Sequence, residues 1–548
     1  MKAYIKSLLL ALPLLTGSCS NDKITEDKQI NTQLTRPRLV IGLVIDQMRW
    51  DYLYRYMPRY GEGGFKRLFA EGFSCENTSI PYIPTVTAIG HTSIYTGSVP
   101  SIHGIAGNSF FNGSSLVYCT DDNTVQPVGT TNKAHKMSPR NLWVTTMGDE
   151  LRIATNNRAK VVGVALKDRA AILPAGHNPN GAYWFDDTTG HFVTSTYYMS
   201  ELPTWVSNFN DQDFATQYLS KPWDTLYAPS TYSQSTTDSN NYENGIKPGV
   251  APTLPLDLPT LYNKYGYSII RSTPFGNSLT FDIAKAAIEG EALGTDSITD
   301  LLAVSCSSTD YIGHQVGPNA VETEDTYLRL DRDIAAFLNY LDKKIGKENY
   351  LIFITADHGV MNVPQYLTDN NIPSGKWSEK NAKDYINTAI KSELNITGDL
   401  VTYITNYQVY FNHEGIAGSK GLDFEKIKRI TIQQLEKDSA VLYAVDMQQV
   451  SAASIPNDLK ERIINGYNRE RSGDIQIVLK PGYTAHGMTG ADHSAWNPYD
   501  SHIPLIFMGW GIKHGATTTS HYMTDIAPTI SSLLHIQAPN GCIGQPIF

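Results

Sequence analysis

The chain is poor in cysteine, in basic excess and in long apolar runs. Five cysteines among 548 residues are too few for a disulfide-stapled scaffold, and none has zinc-finger spacing. Lys and Arg number 44 against 54 Asp and Glu, a formal charge of −10, and no Lys/Arg-rich run stands out. General affinity for nucleic acid is thereby excluded, and any anion the protein binds must be held by local charge. Past the N-terminus no segment is apolar over the roughly 18 residues a membrane helix needs. What is present is an ordinary globular composition, 41% hydrophobic and 18% charged. One wide α/β sheet with insertions can absorb most of this length.

The N-terminus reads as an address. Lys2 and Lys6 precede an apolar stretch from Leu8 to Leu15, too short to span a bilayer and suited to export. Thr16, Gly17 and Ser18 then lead to Cys19 in a pattern that resembles a bacterial lipobox. The expectation is a signal segment over 1–19 with Cys19 lipidated, a flexible tether over 20–37 and a folded body over 38–548. Such a protein is exported, as a periplasmic protein or a membrane-anchored lipoprotein of a Gram-negative bacterium. Its only membrane partner is its own lipid anchor. An oxidising compartment permits disulfides; Cys75 with Cys119 is the first pair to test, whereas Cys306 lies in a strand and reads as core.

Three apolar runs end in metal-ligand residue types. LVIGLVID closes on Asp46, LLAVSCSSTDYIGH on Asp310 and His314, and LIFITADHG on Asp357 and His358. Runs rich in Val, Ile and Leu read as strands buried on both faces of a parallel sheet. In open α/β sheets the ligand crevice lies beyond the carboxyl ends of such strands. The predicted class is α/β, a doubly wound and mostly parallel sheet flanked by helices. Tyr327, Leu330, Ile334, Leu338 and Leu341 recur at helical spacing and read as core. Two stretches break the pattern, about 177–269, irregular and rich in Tyr, Trp, Ser, Asn and Pro, and about 361–482. Both read as insertions over the functional edge.

Asp310 and His314, four residues apart, meet on one face if the strand turns into a helical turn, a spacing that can chelate one ion. Asp357 and His358 are followed by Gly359, which frees the backbone there. Either motif alone is better read as a solvated Asp and a capping His; their joint placement at strand ends reverses that. A Pro-punctuated loop, PYIPTVTAIGHTSIYTG, delivers Thr87 to a helix start, where free N–H groups and the dipole favour an anion. A threonine hydroxyl becomes a useful nucleophile when zinc lowers its pKa. The plainer reading is that Thr85 or Thr87 merely caps the helix. His91 and His103 read as structural.

The ordered set of an Asp-ending first strand, PTVTAIGHTSIYTG, DxxxH, ADHG and a late His resembles the alkaline phosphatase superfamily. It is most similar to the flavobacterial-type, phosphate-irrepressible alkaline phosphatases, which use a Thr nucleophile, and the resemblance runs over nearly all the mature chain. It implies two Zn²⁺ per subunit, one held by Asp46, Thr87, Asp357 and His358, the other by Asp310, His314 and a distal His. For that His, ADHSAWNPYDSHIPLIFMG gives His493; His486 is the competitor, and His502 orients the loop. The same resemblance assigns Lys167, Arg169 and Asn108 to the phosphoryl oxygens, although an LKDR turn is ordinarily just solvated charge. Two Zn²⁺ are offset by three carboxylates and an alkoxide, so Lys167 and Arg169 match a monoester dianion. The implied activity is hydrolysis of small-molecule phosphate monoesters by a monomer, through a phosphothreonine at Thr87. The alternatives are a phosphodiesterase or nucleotide pyrophosphatase of the same superfamily, which lacks the Lys/Arg pair, and a non-catalytic metal- or phosphate-binding surface lipoprotein. A sulfatase is disfavoured, because PTVTAIG lacks the C/S-x-P-x-R motif.

Overall fold

The computed structural model describes residues 35–113, 115–419 and 421–548. The expected leader, the lipobox Cys19 and nearly all of the tether lie outside the described residues. Among the described residues no helix is long and apolar enough to cross a membrane.

Eleven strands form one mixed sheet: β1 (Leu39–Ile45), β2 (Phe73–Ser79), β3 (Pro127–Val128), β4 (Val161–Ala165), β5 (Gly181–Asp186), β6 (His191–Ser195), β7 (Asp300–Cys306), β8 (Tyr350–Thr355), β9 (His502–Ile503), β10 (Leu505–Gly509) and β11 (Gly515–Tyr522). Across the sheet they run β9-β2-β10-β8-β1-β7-β4-β5-β6-β3, with β11 alongside β2. The central five, β8-β1-β7-β4-β5, are parallel. Antiparallel pairing is confined to the flanks, as in β8 with β10 and β5 with β6. Every residue of β1, β4, β7 and β8 is buried, which is what branched side chains on both faces of a covered parallel layer require.

Register places the site. Val44 stands opposite Thr355 on one side of β1, and Ile45 opposite Cys306 on the other, so three strands end level. Whatever follows them must emerge at one edge. The helix Val321–Lys344 carries Tyr327, Leu330, Ile334, Leu338 and Leu341, all buried against the sheet core. Each such side chain contributes roughly 1.5–3 kcal/mol of burial, so this stripe anchors the layer.

Two expectations change. β5 and β6 lie in the stretch expected to be an irregular insertion, yet they extend the main sheet. The aromatic texture of GAYWFD that suggests a loop is that of a buried strand, because Tyr, Trp and Phe suit a pleated surface. Beyond Ser195 the chain does run through short helices and turns. The second stretch forms strands of its own, a four-stranded antiparallel sheet (401–405, 408–411, 475–479, 441–446) with its own apolar core. Lastly, Cys75, Cys119, Cys306 and Cys542 are all free, so the Cys75–Cys119 bridge is not formed. Cys75 is a buried residue within β2, and Cys119 is buried beside Asn108, whose carbonyl accepts its N–H; each packs in its own surroundings.

Candidate active site

Asp46 follows β1 directly and is wholly buried. Asp357 and His358 follow β8 and are equally buried, and ligand atoms of these three residues lie within 4.8 Å of one another. After β7 the chain enters the helix Ser308–Val316, which presents Asp310 and His314 one turn apart. With His493 they form a second group of ligand atoms within 4.8 Å of one another. His486, the competitor, is exposed, its ring centroid 5.9 Å from that of His314, and it joins neither group. His502 lies apart, its Nε2 donating to Glu76 O and its ring stacked on Trp50.

The three imidazoles are set alike. Nδ1 of His358 meets Gly359 O at 3.0 Å, that of His314 meets Ala491 O at 2.9 Å and that of His493 meets Thr85 O at 2.6 Å. A carbonyl can only accept, so each Nδ1 carries a proton and each Nε2 is turned to the site. Asp310, whose Oδ1 lies 3.2 Å from His314 Nε2, raises the pKa of that one imidazole to about 9 despite its burial, so its Nε2 holds a proton that a bound cation would displace. The fit to metal rests on what these atoms lack. Asp46 Oδ1, Asp357 Oδ2 and His358 Nε2 are buried without a hydrogen-bond partner although they converge. Burial together with the neighbouring Asp357 pushes the Asp46 carboxyl well above the carboxylate range despite Lys167. Burial holds His493 and His358 neutral, His493 further by the proximity of His358 and His314. Neutral imidazoles beside unpartnered carboxylates suit a divalent cation, and an N/O donor set suits zinc better than magnesium.

Thr87 opens the helix Thr87–Thr96 and is 1% exposed. Val86 occupies the cap position with no side-chain cap bond, so Thr87 is not the N-cap of the plainer reading. Its Oγ1 meets Lys167 Nζ at 3.3 Å. Close approach of this helix to the Asp357 turn depends on Gly90, where a Cβ would lie 2.4 Å from Asp357 O. Asn108 accepts from Ala88 N at 3.0 Å through Oδ1, which leaves its amide N–H groups to donate elsewhere.

Lys167, two residues past the end of β4, is 2% exposed and central. Its Nζ donates to Asp46 Oδ2 at 2.7 Å and Asp310 Oδ2 at 2.6 Å, spanning both groups. Burial opposes its charge, but Asp310 and Asp46 hold it protonated. Arg169 donates from Nη1 to Tyr118 Oη at 2.8 Å, and its Nε is buried without a partner. A guanidinium so placed has donors ready for an incoming oxyanion.

Sequence reasoning missed three residues. Gln47 adopts a left-handed backbone (φ 67°), donating from its N to Asp357 Oδ1 at 3.1 Å and from Nε2 to Asp310 Oδ1 at 2.7 Å. It ties the two groups together, and a Cβ on Gly313 would strike its Oε1 at 1.8 Å. Its position after Asp46 is the only signal the sequence offers. His91, expected to be structural, lies 3.3 Å from Asp357 Oδ2 and also meets Thr87 O at 2.9 Å and Ser305 Oγ at 2.8 Å. Its signal is the four-residue spacing from Thr87. Tyr118 orients Arg169 from a hairpin strand that nothing in the sequence marks out. His103 is structural, kept neutral by burial with its pKa lowered to about 3.

Both expected insertions touch the site's supports. Asn465 Nδ2 donates to Pro81 O at 2.8 Å and Ile83 N to Arg462 O at 3.3 Å, fixing the loop that delivers Thr87. Asn244 N donates to Gln315 O and Gly490 N to Tyr242 O, both at 2.8 Å, beside His314.

Level strand ends that gather two Asp/His groups about a buried threonine are the frame of a metal-dependent phosphoesterase, and the chain belongs to the Type I phosphodiesterase / nucleotide pyrophosphatase family, which matches residues 40–502. Within the alkaline phosphatase superfamily it is 53% identical to alkaline phosphatase PafA of Elizabethkingia meningoseptica, over 99% of this chain and 98% of that one. Alkaline phosphatase PhoV of Synechococcus elongatus is 52% identical over 99% of both chains. A third relative, from Myroides odoratus, 52% identical over 94% of this chain and 95% of its own, is named a calcium-transporting ATPase. The crystal structure of PafA matches with a TM-score of 0.91 at 52% identity, over 94% of this chain and 99% of that one. A solved PafA variant carries joint substitutions of a Thr, an Asn, a Lys and an Arg, the last two separated by one residue. Thr87, Asn108, Lys167 and Arg169 follow the same order and the same Lys-x-Arg spacing.

Proposed function

We propose that this protein is an alkaline phosphatase that hydrolyses small phosphate monoesters through a phosphothreonine on Thr87, with two zinc ions. The observation that carries the reading is the convergence on Thr87 Oγ1 of Lys167 Nζ, itself held by Asp46 and Asp310, with the partly unpartnered guanidinium of Arg169 on the same turn. Asp46, Asp357 and His358, with Thr87, would hold one zinc; Asp310, His314 and His493 would hold the other. When bound, zinc supplies Lewis acidity that ionises a threonine hydroxyl or water near neutral pH and offsets charge on the ester oxygens.

The chain's own residues do the rest. Thr87 Oγ1 attacks phosphorus, a P–O bond to threonine forms, and the bond to the alcohol breaks in line. Water then releases phosphate and restores the hydroxyl. The helix N-terminus beneath Thr87 and the amide of Asn108 stabilise the non-bridging oxygens, as do Lys167 and Arg169. Such charge stabilisation commonly contributes more to phosphoryl transfer than any other effect. The buried surroundings of Thr87 exclude bulk water and strengthen each of these contacts.

The phosphodiesterase reading is favoured by the family name, and it is separated by the Lys/Arg pair, which a diester's second organic group would crowd. The test is hydrolysis of p-nitrophenyl phosphate and bis-p-nitrophenyl phosphate by the zinc-loaded protein, with ATP as a further arm and Thr87→Ala as control. A strong monoester preference lost in the variant, and a phosphothreonine trapped at Thr87, support the reading; a diester preference refutes it. Silence on every substrate with zinc bound would favour a binding lipoprotein. The leader further supports export with lipidation at Cys19, which Cys19→Ser with a lipid-labelling assay checks.

A further inference from the structure

A cavity of about 370 Å³ opens beside the proposed phosphoryl clamp, and its lining includes Lys167, Arg169, Lys247, Ser268 and Tyr311. Its volume lies within the range of small-molecule sites. Its charges can be paired off one by one. Arg271 is spent on Asp187 Oδ1 at 2.6 Å and on the carbonyls of Leu166 and Phe185, each at 2.9 Å. Asp168, the other acid of the lining, accepts from the hydroxyls of Thr120 and Tyr118 at 2.9 and 3.3 Å. Lys167 is held by Asp46 and Asp310.

Lys247 is left over. It is half-buried, its Nζ donates to Ser268 Oγ at 3.2 Å and lies 5.9 Å from the centre of the Tyr265 ring, and it forms no ion pair among the described residues. A lysine on an open surface needs no partner, but this one comes from the 177–269 stretch to line the same cavity as the clamp. An ammonium has three donors and Ser268 takes one, so two remain for an anion.

We propose that Lys247 binds a second anionic group of the substrate, so that the preferred esters are small phosphomonoesters whose alcohol carries a carboxylate or a further phosphate. This rests on the monoesterase reading and adds to it a substrate class. The phosphoryl group occupies the clamp at Lys167 and Arg169, the body of the alcohol lies along the Tyr311 ring, and the second anion meets Lys247 and Ser268.

The test compares kcat/KM of the zinc-loaded protein within matched pairs. Phenyl phosphate against 3-carboxyphenyl phosphate reads the carboxylate, and glycerol 3-phosphate against glycerol 1,3-bisphosphate reads the second phosphate. The wild type is expected to favour the doubly anionic member of at least one pair by about tenfold, the effect of one charge-assisted contact. In Lys247→Ala that ratio falls to near one, in Lys247→Glu it inverts, and in Lys247→Arg it persists, which also shows that the fold tolerates change at this position. No preference in the wild type, or a preference that survives Lys247→Ala, overturns the subsite alone. Failure of the wild type to hydrolyse phenyl phosphate overturns the monoesterase reading and the subsite with it.

Discussion

Replacing Arg169 with Ala is the cleanest probe of monoester chemistry, because Arg169 holds no proposed metal ligand. Lys167 is a poorer first choice, since its Nζ also offsets Asp46 and Asp310. The Arg169 guanidinium has Nη1 on Tyr118 Oη at 2.8 Å and a buried Nε without a partner. One or two of its N–H groups are therefore available to a phosphoryl oxygen. A hydrogen bond to a charged group is worth about 1.5–3 kcal/mol. Two such bonds, lost together, amount to about 3–6 kcal/mol, or roughly 10²–10⁴ in kcat/KM. A diester carries one anionic charge fewer on phosphorus and has an organic group where the fork would bind, so its loss should stay within about tenfold. Arg169→Lys restores the charge without the planar fork and should recover only part of the monoester rate. The assay is kcat/KM on p-nitrophenyl phosphate and its bis ester with zinc content matched across variants. Equal losses on both esters would refute the role, for they would mean that Arg169 supports the fold or the metals instead.

Other outcomes follow from the same geometry. His493→Ala should lose one zinc per chain by elemental analysis, whereas His486→Ala should retain both, because only His493 lies within the group of Asp310 and His314. Gln47→Ala removes the amide that bonds Asp310 and should weaken zinc retention by about 10–100-fold in chelator competition, the usual cost of losing such a supporting contact. Glu243 gives a stability test: burial raises its pKa from 4.5 to about 8, partly offset by a bond from Asn240. The folded state then keeps a proton the unfolded chain has released, so this group makes stability fall as pH rises from about 4.5 to about 8, and no further above that. Glu243→Gln cannot titrate, so its stability relative to wild type should improve between those limits by up to a few kcal/mol in urea unfolding. An unchanged difference between the two proteins at both ends of the range would exclude that burial cost.

Much of this is legible because strand burial and site chemistry write on the sequence in different alphabets. β1, β7 and β8 stand out as unbroken apolar runs, and the polar residues that end them can only fall at one edge. The Asp310–His314 pair is readable from helical spacing once it is seen to end an apolar run as Asp46 and Asp357 do, and Thr87 from the prolines before it. What stays hidden depends on tertiary contact. Gln47 looks like any strand-end polar residue until its left-handed turn sets it between Asp310 and Asp357. His91 reads as packing because the Asp357 carboxylate it faces arrives from a distant part of the chain. β5 and β6 read as loop because aromatic strands and aromatic loops share a composition, and only the pairing of β5 with β4 and of β6 with β5 tells them apart. The free cysteines make the complementary point: a compartment that permits disulfides does not bring two sulfurs together.

The hidden contacts also explain why the site can be built before substrate arrives. Each of the three proposed imidazole ligands has a proton fixed on Nδ1 by a backbone carbonyl, and two of those carbonyls, Thr85 O and Ala491 O, belong to distant segments. Backbone carbonyls cannot change rotamer, so the three Nε2 atoms are aimed by the fold itself. Asn465 and Arg462 brace the loop that carries Thr85, and Asn244 with Tyr242 brace the one that carries Ala491. Three buried carboxylates, Asp46, Asp310 and Asp357, face the buried ammonium of Lys167 and the His314 imidazole, whose pKa Asp310 raises to about 9. Two positive charges do not offset three negative ones in a low-dielectric interior, which is why the Asp46 carboxyl is pushed up, and all three carboxylates ionise together only if further positive charge is bound there. The two long stretches between the sheet strands therefore brace the loops around this cluster. They hold in place a cluster whose own electrostatics would otherwise drive it apart.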